Sequence, residues 1–201
     1  TYERKEIDPS EIITEKDITE VIEKGCRTFR EKAILRILHE SGLRIGEFLG
    51  MRIKDVSFKD NFVQIHVTGK TGPRTIPLVK SMNFLHKYLE LHPYKNDPEA
   101  YIWISKCTRR LNLPLNHTGI TKLIKNCFKR AEVKKKCNCH WIRHSRASLL
   151  APKLTEVMMC EFMGWEKGSE ISSFKRSNIN HPSQASSLRN IFLCSNSINH
   201  F

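Results

Sequence analysis

With 34 Lys and Arg against 21 Asp and Glu in 201 residues, a net charge of +13, the chain is matched to a polyanionic partner. Its 39% hydrophobic and 27% charged residues suit one large domain with a buried core. An apolar run of membrane-spanning length, a signal-peptide pattern and a lysine-rich amphipathic helix are all missing from the sequence, which favours nucleic acid over a membrane surface.

Residues 1–13 read as a linker, polar through Asp8-Pro9-Ser10. Thr14 is an N-cap with Asp17 three residues on, an imperfect capping-box partner, and Ile18, Val21 and Ile22 give the helix that follows an apolar face. The segment TFREKAILRILHES spaces Phe29, Ala33, Ile34, Ile37 and Leu38 as a second helix, ended by Gly42. A short buried helix follows with Leu43, Ile45, Phe48, Leu49 and Met51, and Arg44 stands at its start between two apolar residues. Residues 62–67 read as a β-strand, Gly69, Gly72 and Pro73 as a turn, and Arg74-Thr75-Ile76-Pro77-Leu78 as a returning edge strand. The result is a β-hairpin with Lys70 at its tip.

The remainder is mostly helical. SMNFLHKYLEL is amphipathic, and residues 93–116 read as largely loop around the apolar YIWI. Thr118 opens a helix with Ile120, Leu123, Ile124, Cys127 and Phe128 inward. The basic run Lys134-Lys135-Lys136 precedes the helix HWIRHSRASLLA, which stops near Pro152. TEVMMCEFMGW is a further helix ending at Gly164, and EISSFKRS a short helix or turn. A polar bridge then leads to a last apolar segment, Leu188, Ile191, Phe192 and Leu193. The fold class is α+β, mainly α-helical, with a small β-hairpin at the edge; the domain spans 14–182, and 183–201 is a C-terminal segment packing on its own domain or on a neighbouring subunit.

The seven cysteines, Cys26, Cys107, Cys127, Cys137, Cys139, Cys160 and Cys194, are odd in number and scattered, which argues against a disulfide framework. Cys137, Cys139 and His140 suggest metal ligands, but no second pair is spaced to complete a tetrahedral site, so neither metal nor cofactor is expected.

CHWIRHSRAS, residues 139–148, crowds two histidines and two arginines into the start of a buried helix. His140 and Arg143 lie three apart and share a helical face, an arrangement suited to an anion. Taken singly, each residue has a structural reading. Arg44 would pair with Glu47 or Asp55, His140 would be a satisfied helix-end histidine, Lys70 a solvated turn lysine, and Trp165 core.

The ordered set reads differently. SGLRIGEFLGMRIKDV, VTGKTGPRTIPL, HWIRHSRASLL and FMGWEKGSEISSF resemble the successive motifs of the tyrosine recombinase (phage integrase) family, from about Thr14 to about Arg176. The family's TGLRxxEL box appears as SGLRIGEF, its HxxRH box as His140-Trp141-Ile142-Arg143-His144, and its LGH or GW box as Met163-Gly164-Trp165. The resemblance implies a catalytic domain that cleaves one DNA strand through a 3′-phosphotyrosine without metal, releasing a 5′-hydroxyl. Arg44 and Arg143 would be the guanidinium forks on the phosphorane. His140 would position or protonate the phosphate, Trp165 would donate or pack where relatives use His, and Lys70 would protonate the leaving oxygen. His144 would support that set. Arg74, Arg146 and the run Lys134, Lys135 and Lys136 would be further DNA contacts.

One position departs from the pattern. The family's nucleophilic Tyr follows the His or Trp by nine residues, and here that residue is Phe174. The chain is therefore expected to bind DNA without cleaving it, either as a Tyr-to-Phe form of an active enzyme, which the otherwise complete phosphate-binding set favours, or as an inactive relative that only binds. A type IB topoisomerase is a further alternative. The implied partners are double-stranded DNA and further copies of the chain, as a dimer or tetramer on DNA and with no membrane role. The implied setting is the cytoplasm or nucleoid of a host cell, with composition compatible with a viral or plasmid origin. The family's usual N-terminal clamp domain is not recognisable in the 13 residues before the first helix.

Overall fold

A computed structural model describes residues 8–166, so Phe174, Cys194 and the segment 183–201 lie outside the described residues. Thr14 caps the first helix, α1 (Glu15–Glu20), reciprocally: its hydroxyl accepts from the Asp17 amide at 3.3 Å, and the Asp17 carboxylate accepts from the Thr14 amide at 2.7 Å. The cap is a complete capping box, with Asp in the place more often held by Glu. α1 passes into a π-helical turn over Val21–Gly25.

The next helix, α2 (Phe29–Ser41), is the axis of the fold. Every residue from Ala33 to Ser41 is buried, including Arg36, His39 and Glu40. Buried charge must be paired. Arg36 donates to Glu15 at 2.5 Å, His39 Nε2 lies 3.3 Å from the Ile13 carbonyl, and the Glu40 carboxylate accepts from the amides of Val79, Lys80 and Ser81 at 2.8, 3.0 and 2.9 Å and from the Ser81 hydroxyl at 2.6 Å. Glu40 thus fixes the link between the sheet and the helix that follows it. Gly42 ends α2 in the left-handed conformation, φ 60°.

After α3 (Ile45–Gly50), a three-stranded antiparallel sheet forms from β1 (Val56–Phe58), β2 (Val63–Gly69) and β3 (Gly72–Leu78), in that spatial order. Val63, Ile65, Val67, Ile76 and Leu78 point to the core, and Lys70 and Thr71 form the two-residue turn. Pro73 and Pro77 are tolerated because β3 is an edge strand. β1 is an addition to the hairpin expected from sequence; three residues are too few to show an alternation.

α4 (Met82–Glu90), α5 (His117–Arg130), α6 (Cys139–Leu150) and α7 (Glu156–Met163) complete the described fold, with α2 packed against α4, α5, α6 and β3. α5 starts slightly earlier than its sequence suggests, capped by Asn116 rather than opened by Thr118. The stretch 93–116 contains one 3-10 turn and two isolated bridges, Arg52 with Tyr101 and Ile104 with Pro114, yet Ile102, Trp103 and Ile104 are buried. Trp103 stacks between Phe48 and Tyr88, at centroid distances of 4.6 and 5.6 Å, and the Tyr88 hydroxyl donates to the Ile102 carbonyl at 2.7 Å. A segment without regular structure therefore supplies core. Among the described residues no helix is long and apolar enough to cross a membrane, and no His, Cys, Asp and Glu stand together as a metal-holding group.

Candidate active site

Two turns define the site: residues 42–44 after α2, and residues 163–166 after α7. Arg44 leaves the first turn as the residue preceding α3, with its side chain 34% exposed. Its amide donates to Glu47 Oε2 at 3.0 Å and its guanidinium to Glu47 Oε1 at 3.3 Å. Glu47 is 4% exposed and faces a second cation across the sheet: Arg74 Nη1 and Nη2 donate to its two oxygens at 2.9 and 2.8 Å. Burial raises the Glu47 pKa, but the hydrogen bonds and charge of Arg74, with those of Arg44, outweigh it and hold the carboxyl below its ordinary value. Two cations thus share one buried carboxylate, leaving net positive charge.

Arg143, on α6, joins both turns. It donates to the Gly42 carbonyl at 2.6 Å and to the Met163 carbonyl at 2.8 Å, and its guanidinium carbon lies 5.8 Å from the centre of the Trp165 ring. Gly164 lies where these groups meet. A Cβ there would stand 2.7 Å from Arg74 Nη1 and 3.1 Å from Arg44 Nη1, and its φ of 64° is left-handed, so both space and backbone demand glycine. The ring of Trp165 is buried directly after it.

Lys70 reaches the same region from the sheet. It is 82% exposed, and its Nζ lies 3.5 Å from Glu166 Oε1. His140 is exposed in the first turn of α6, its ring 6.2 Å from that of His144, which stacks on Trp141 at 5.4 Å. The Trp141 indole N–H donates to the Glu11 carbonyl at 2.8 Å and so anchors α6 to the N-terminal segment.

Of the residues singled out from sequence, Arg44, Arg143, Trp165 and Lys70 are thus gathered around residues 163–166, with His140 on the outer side of α6. Of the two structural partners considered for Arg44, Glu47 is the one it meets, while Asp55 accepts from the Arg52 amide. Arg74 is turned inward onto Glu47. Arg146 is partly buried, its guanidinium 5.9 Å over the Phe162 ring and its Nε without a hydrogen-bond partner among the described residues; burial lowers its pKa against the nearby Glu40 and Glu15. Lys134 is exposed. Lys135 donates to the Ile12 carbonyl and to Asp17, each at 2.7 Å, and Lys136 pairs with Glu11 at 2.8 Å above the Trp141 ring.

Sequence reasoning does not single out a further cationic surface. Lys122, Lys125 and Lys129 are exposed at helical spacing on α5, and Lys106, Arg109 and Arg110 are exposed in the preceding loop. None of the six makes an ion pair with a described residue. The signal was available, since no Asp or Glu occurs between Glu99 and Glu132.

Residues 11–181 match the model of the phage integrase family. Transposase A from transposon Tn554 of Staphylococcus aureus is 30% identical over 147 residues, covering 67% of this chain and 39% of the transposase. The chain therefore spans well under half of that relative's length. Among solved structures, the XerA recombinase superposes with a TM-score of 0.69 at 21% identity, over 99% of this chain and 68% of that one. A lambda integrase dimer bound to a COC′ core site superposes with a TM-score of 0.60 at 16% identity, over 87% of this chain and 51% of that one. At such identities the structural likeness establishes the fold.

Proposed function

The chain belongs to the phage integrase family, the tyrosine recombinases, and from that premise we propose that it is the DNA-holding, strand-transfer domain of a site-specific recombinase that lacks its attacking oxygen. The observation that most supports this reading is the convergence of Arg44, Arg143 and Trp165 on two adjacent turns, with Lys70 at ion-pair distance from Glu166. Such a cluster suits a phosphodiester, whose non-bridging oxygens gain negative charge as the phosphorus becomes five-coordinate. Arg44 offers a partly exposed fork, and Arg143 is held rigid by two carbonyls, so little reorganisation is needed when charge develops. His140, outermost, would meet the phosphate from the α6 side. Lys70 would exchange Glu166 for the DNA backbone.

With tyrosine at position 174, the phenol oxygen would attack phosphorus, its proton passing to a non-bridging phosphate oxygen, and the bond from phosphorus to the 5′-oxygen would break. That oxygen would take its proton from Lys70 Nζ, leaving a 3′-phosphotyrosine and a 5′-hydroxyl. Phe174 has no oxygen to attack with, so this chain would hold duplex DNA without cutting it. The cationic surface of α5 and residues 106–110 would track neighbouring phosphates. The lambda integrase dimer bound to its core site supports DNA as the partner and self-association on it as a dimer; the tetramer is part of the same proposal. The setting would be the DNA-containing compartment of the host cell.

Phe174 also favours a second reading, a relative that only binds. One experiment separates the two: select the preferred duplex from a random pool, then offer it, nicked beside the presumed cleavage point, to the chain and to its Phe174→Tyr form. The recombinase reading expects binding by both and a denaturation-resistant adduct with the tyrosine form alone. Binding by both and an adduct with neither would leave the binding-only reading.

A further inference from the structure

We propose that Arg74 is a positioning residue for strand cleavage, not a DNA contact: it sets the Lys70 hairpin against Arg44 and the α7 turn. This rests on the functional reading above. All three guanidinium nitrogens of Arg74 are committed, Nη1 and Nη2 to Glu47 and Nε to the Phe162 carbonyl at 3.2 Å, and the side chain is 11% exposed. A phosphate could reach it only by displacing a buried carboxylate that two of its nitrogens hold, at the cost of a buried two-point ion pair.

The pair also lies at the junction of the hairpin base, the turn after α7 and Arg44. A Cβ on Gly69, one residue before Lys70, would stand 2.1 Å from Glu47 Oε1 and 3.2 Å from Arg74 Nη1. The backbone at the base of the hairpin therefore rests directly on the ion pair. Gly164, one residue before Trp165, rests on the same guanidinium from the other side, and Arg44 shares the carboxylate. Gly69 and Gly72 close the turn as a register pair, so a tilt at Gly69 is carried to the Lys70 tip. Arg74 thereby acts through Lys70, whose task is to protonate the leaving oxygen.

The test uses Arg74→Lys and Arg74→Gln in the Phe174→Tyr form, on a normal duplex and on one whose bridging 5′-oxygen is replaced by sulfur. A thiolate leaves without a proton, so a defect in acid placement is bypassed there. Affinity and its salt dependence should be unchanged. Adduct formation should fall by about 10- to 100-fold on the oxygen substrate, within the range for general acid catalysis, and by less than about threefold on the sulfur one. Gly69→Ala, which removes no arginine but pushes the hairpin base against the Glu47–Arg74 pair, should give the same pattern. A weaker duplex affinity with a salt slope smaller by about 1 would make Arg74 a phosphate contact and overturn the proposal. An equal loss on both substrates would overturn it too.

Absence of an adduct from the Phe174→Tyr parent would count against the functional reading, and amide hydrogen exchange then decides positioning without cleavage. Arg74→Gln should speed exchange in residues 67–72 and 163–165 and leave α5 unchanged. Unaltered exchange at the hairpin would refute the positioning role.

Discussion

Residues 8–99 carry fifteen Lys and Arg beside fourteen Asp and Glu, whereas residues 100–155 carry thirteen Lys and Arg beside one acid, Glu132, and so supply +12 of the chain's net +13. In the first stretch, charges serve the architecture. Arg36 meets Glu15, Glu40 ties three successive amides, and Glu47 binds Arg44 and Arg74. In the second, Arg130, Lys135 and Lys136 pair with acids of the first stretch, while the cations of α5 and of residues 106–110 face outward. Net charge of this kind cannot be neutralised within the fold and is available to a polyanion. The site lies where the two stretches touch: Arg44 and Lys70 come from the balanced part, Arg143 from the cationic one.

The largest effect is expected where the two stretches touch. Arg143→Ala in the Phe174→Tyr form should slow adduct formation by about 100- to 1,000-fold, the usual effect of losing one donor to a developing oxyanion. It should also lower thermal stability, because Arg143 ties the Gly42 and Met163 carbonyls. An unchanged rate on adduct gels would remove Arg143 from the chemistry. The next largest effect belongs to the balanced stretch. Glu40→Gln leaves a cluster of buried donors facing an amide and should cost roughly 2–4 kcal/mol in denaturant unfolding, with the salt dependence of DNA binding unchanged. A mutant of normal stability would show that the buried carboxylate does not hold the link between β3 and α4.

Acid should weaken the same interior. Burial, the charge of Arg146 and, to a smaller extent, that of Arg36 lower the His39 pKa to about 4, against the favourable charge of Glu15 and the Ile13 carbonyl. Folded His39 therefore stays neutral while the unfolded chain takes up a proton. Its contribution is fully present above about pH 6.5 and is lost as pH falls toward 4, on the order of 1–3 kcal/mol. Glu15 adds a lower window. Burial raises its pKa, but Arg36 and Lys80 outweigh that and bring it to about 2, so its stabilisation is lost from about pH 4.5 down toward 2. In His39→Gln the first window of a stability-against-pH curve should flatten; persistence of the slope would assign it elsewhere. The smallest energetic effect is expected from Lys122→Gln, Lys125→Gln and Lys129→Gln combined. Thermal stability should stay put while the slope of log affinity against log salt falls by about 2–3. A lowered melting temperature with an intact slope would show that these lysines serve the fold and not DNA binding.

Much of this was legible beforehand because it is local. Thr14 with Asp17, the apolar spacing of α2, the glycines after α2 and α7, and the hairpin with Lys70 at its tip each depend on residues a few positions apart. The direction taken by a charged side chain was not legible, since its partner is remote. Arg74 and Glu47 lie 27 residues apart, and Lys135 and Asp17 lie 118 apart. The burial of Trp103 was hidden for the same reason: a short apolar run among Pro and Asn has no period, and its place is set by Phe48 and Tyr88. The site's motif residues were legible as a set, through their order and their resemblance to a family, while Glu47 entered only as a partner for Arg44.

The central proposal is that the cationic cluster, given a phenol oxygen at residue 174, forms a covalent link to DNA. The most direct measurement is therefore to incubate the Phe174→Tyr chain with its selected, nicked duplex in the presence of a metal chelator, digest the adduct and sequence the DNA-linked peptide. The expected result is a 3′-phosphate joined to residue 174 and a free 5′-hydroxyl on the released strand, with a yield the chelator does not reduce. An adduct on another residue, a cut that leaves a 5′-phosphate, or cleavage abolished by the chelator would contradict it.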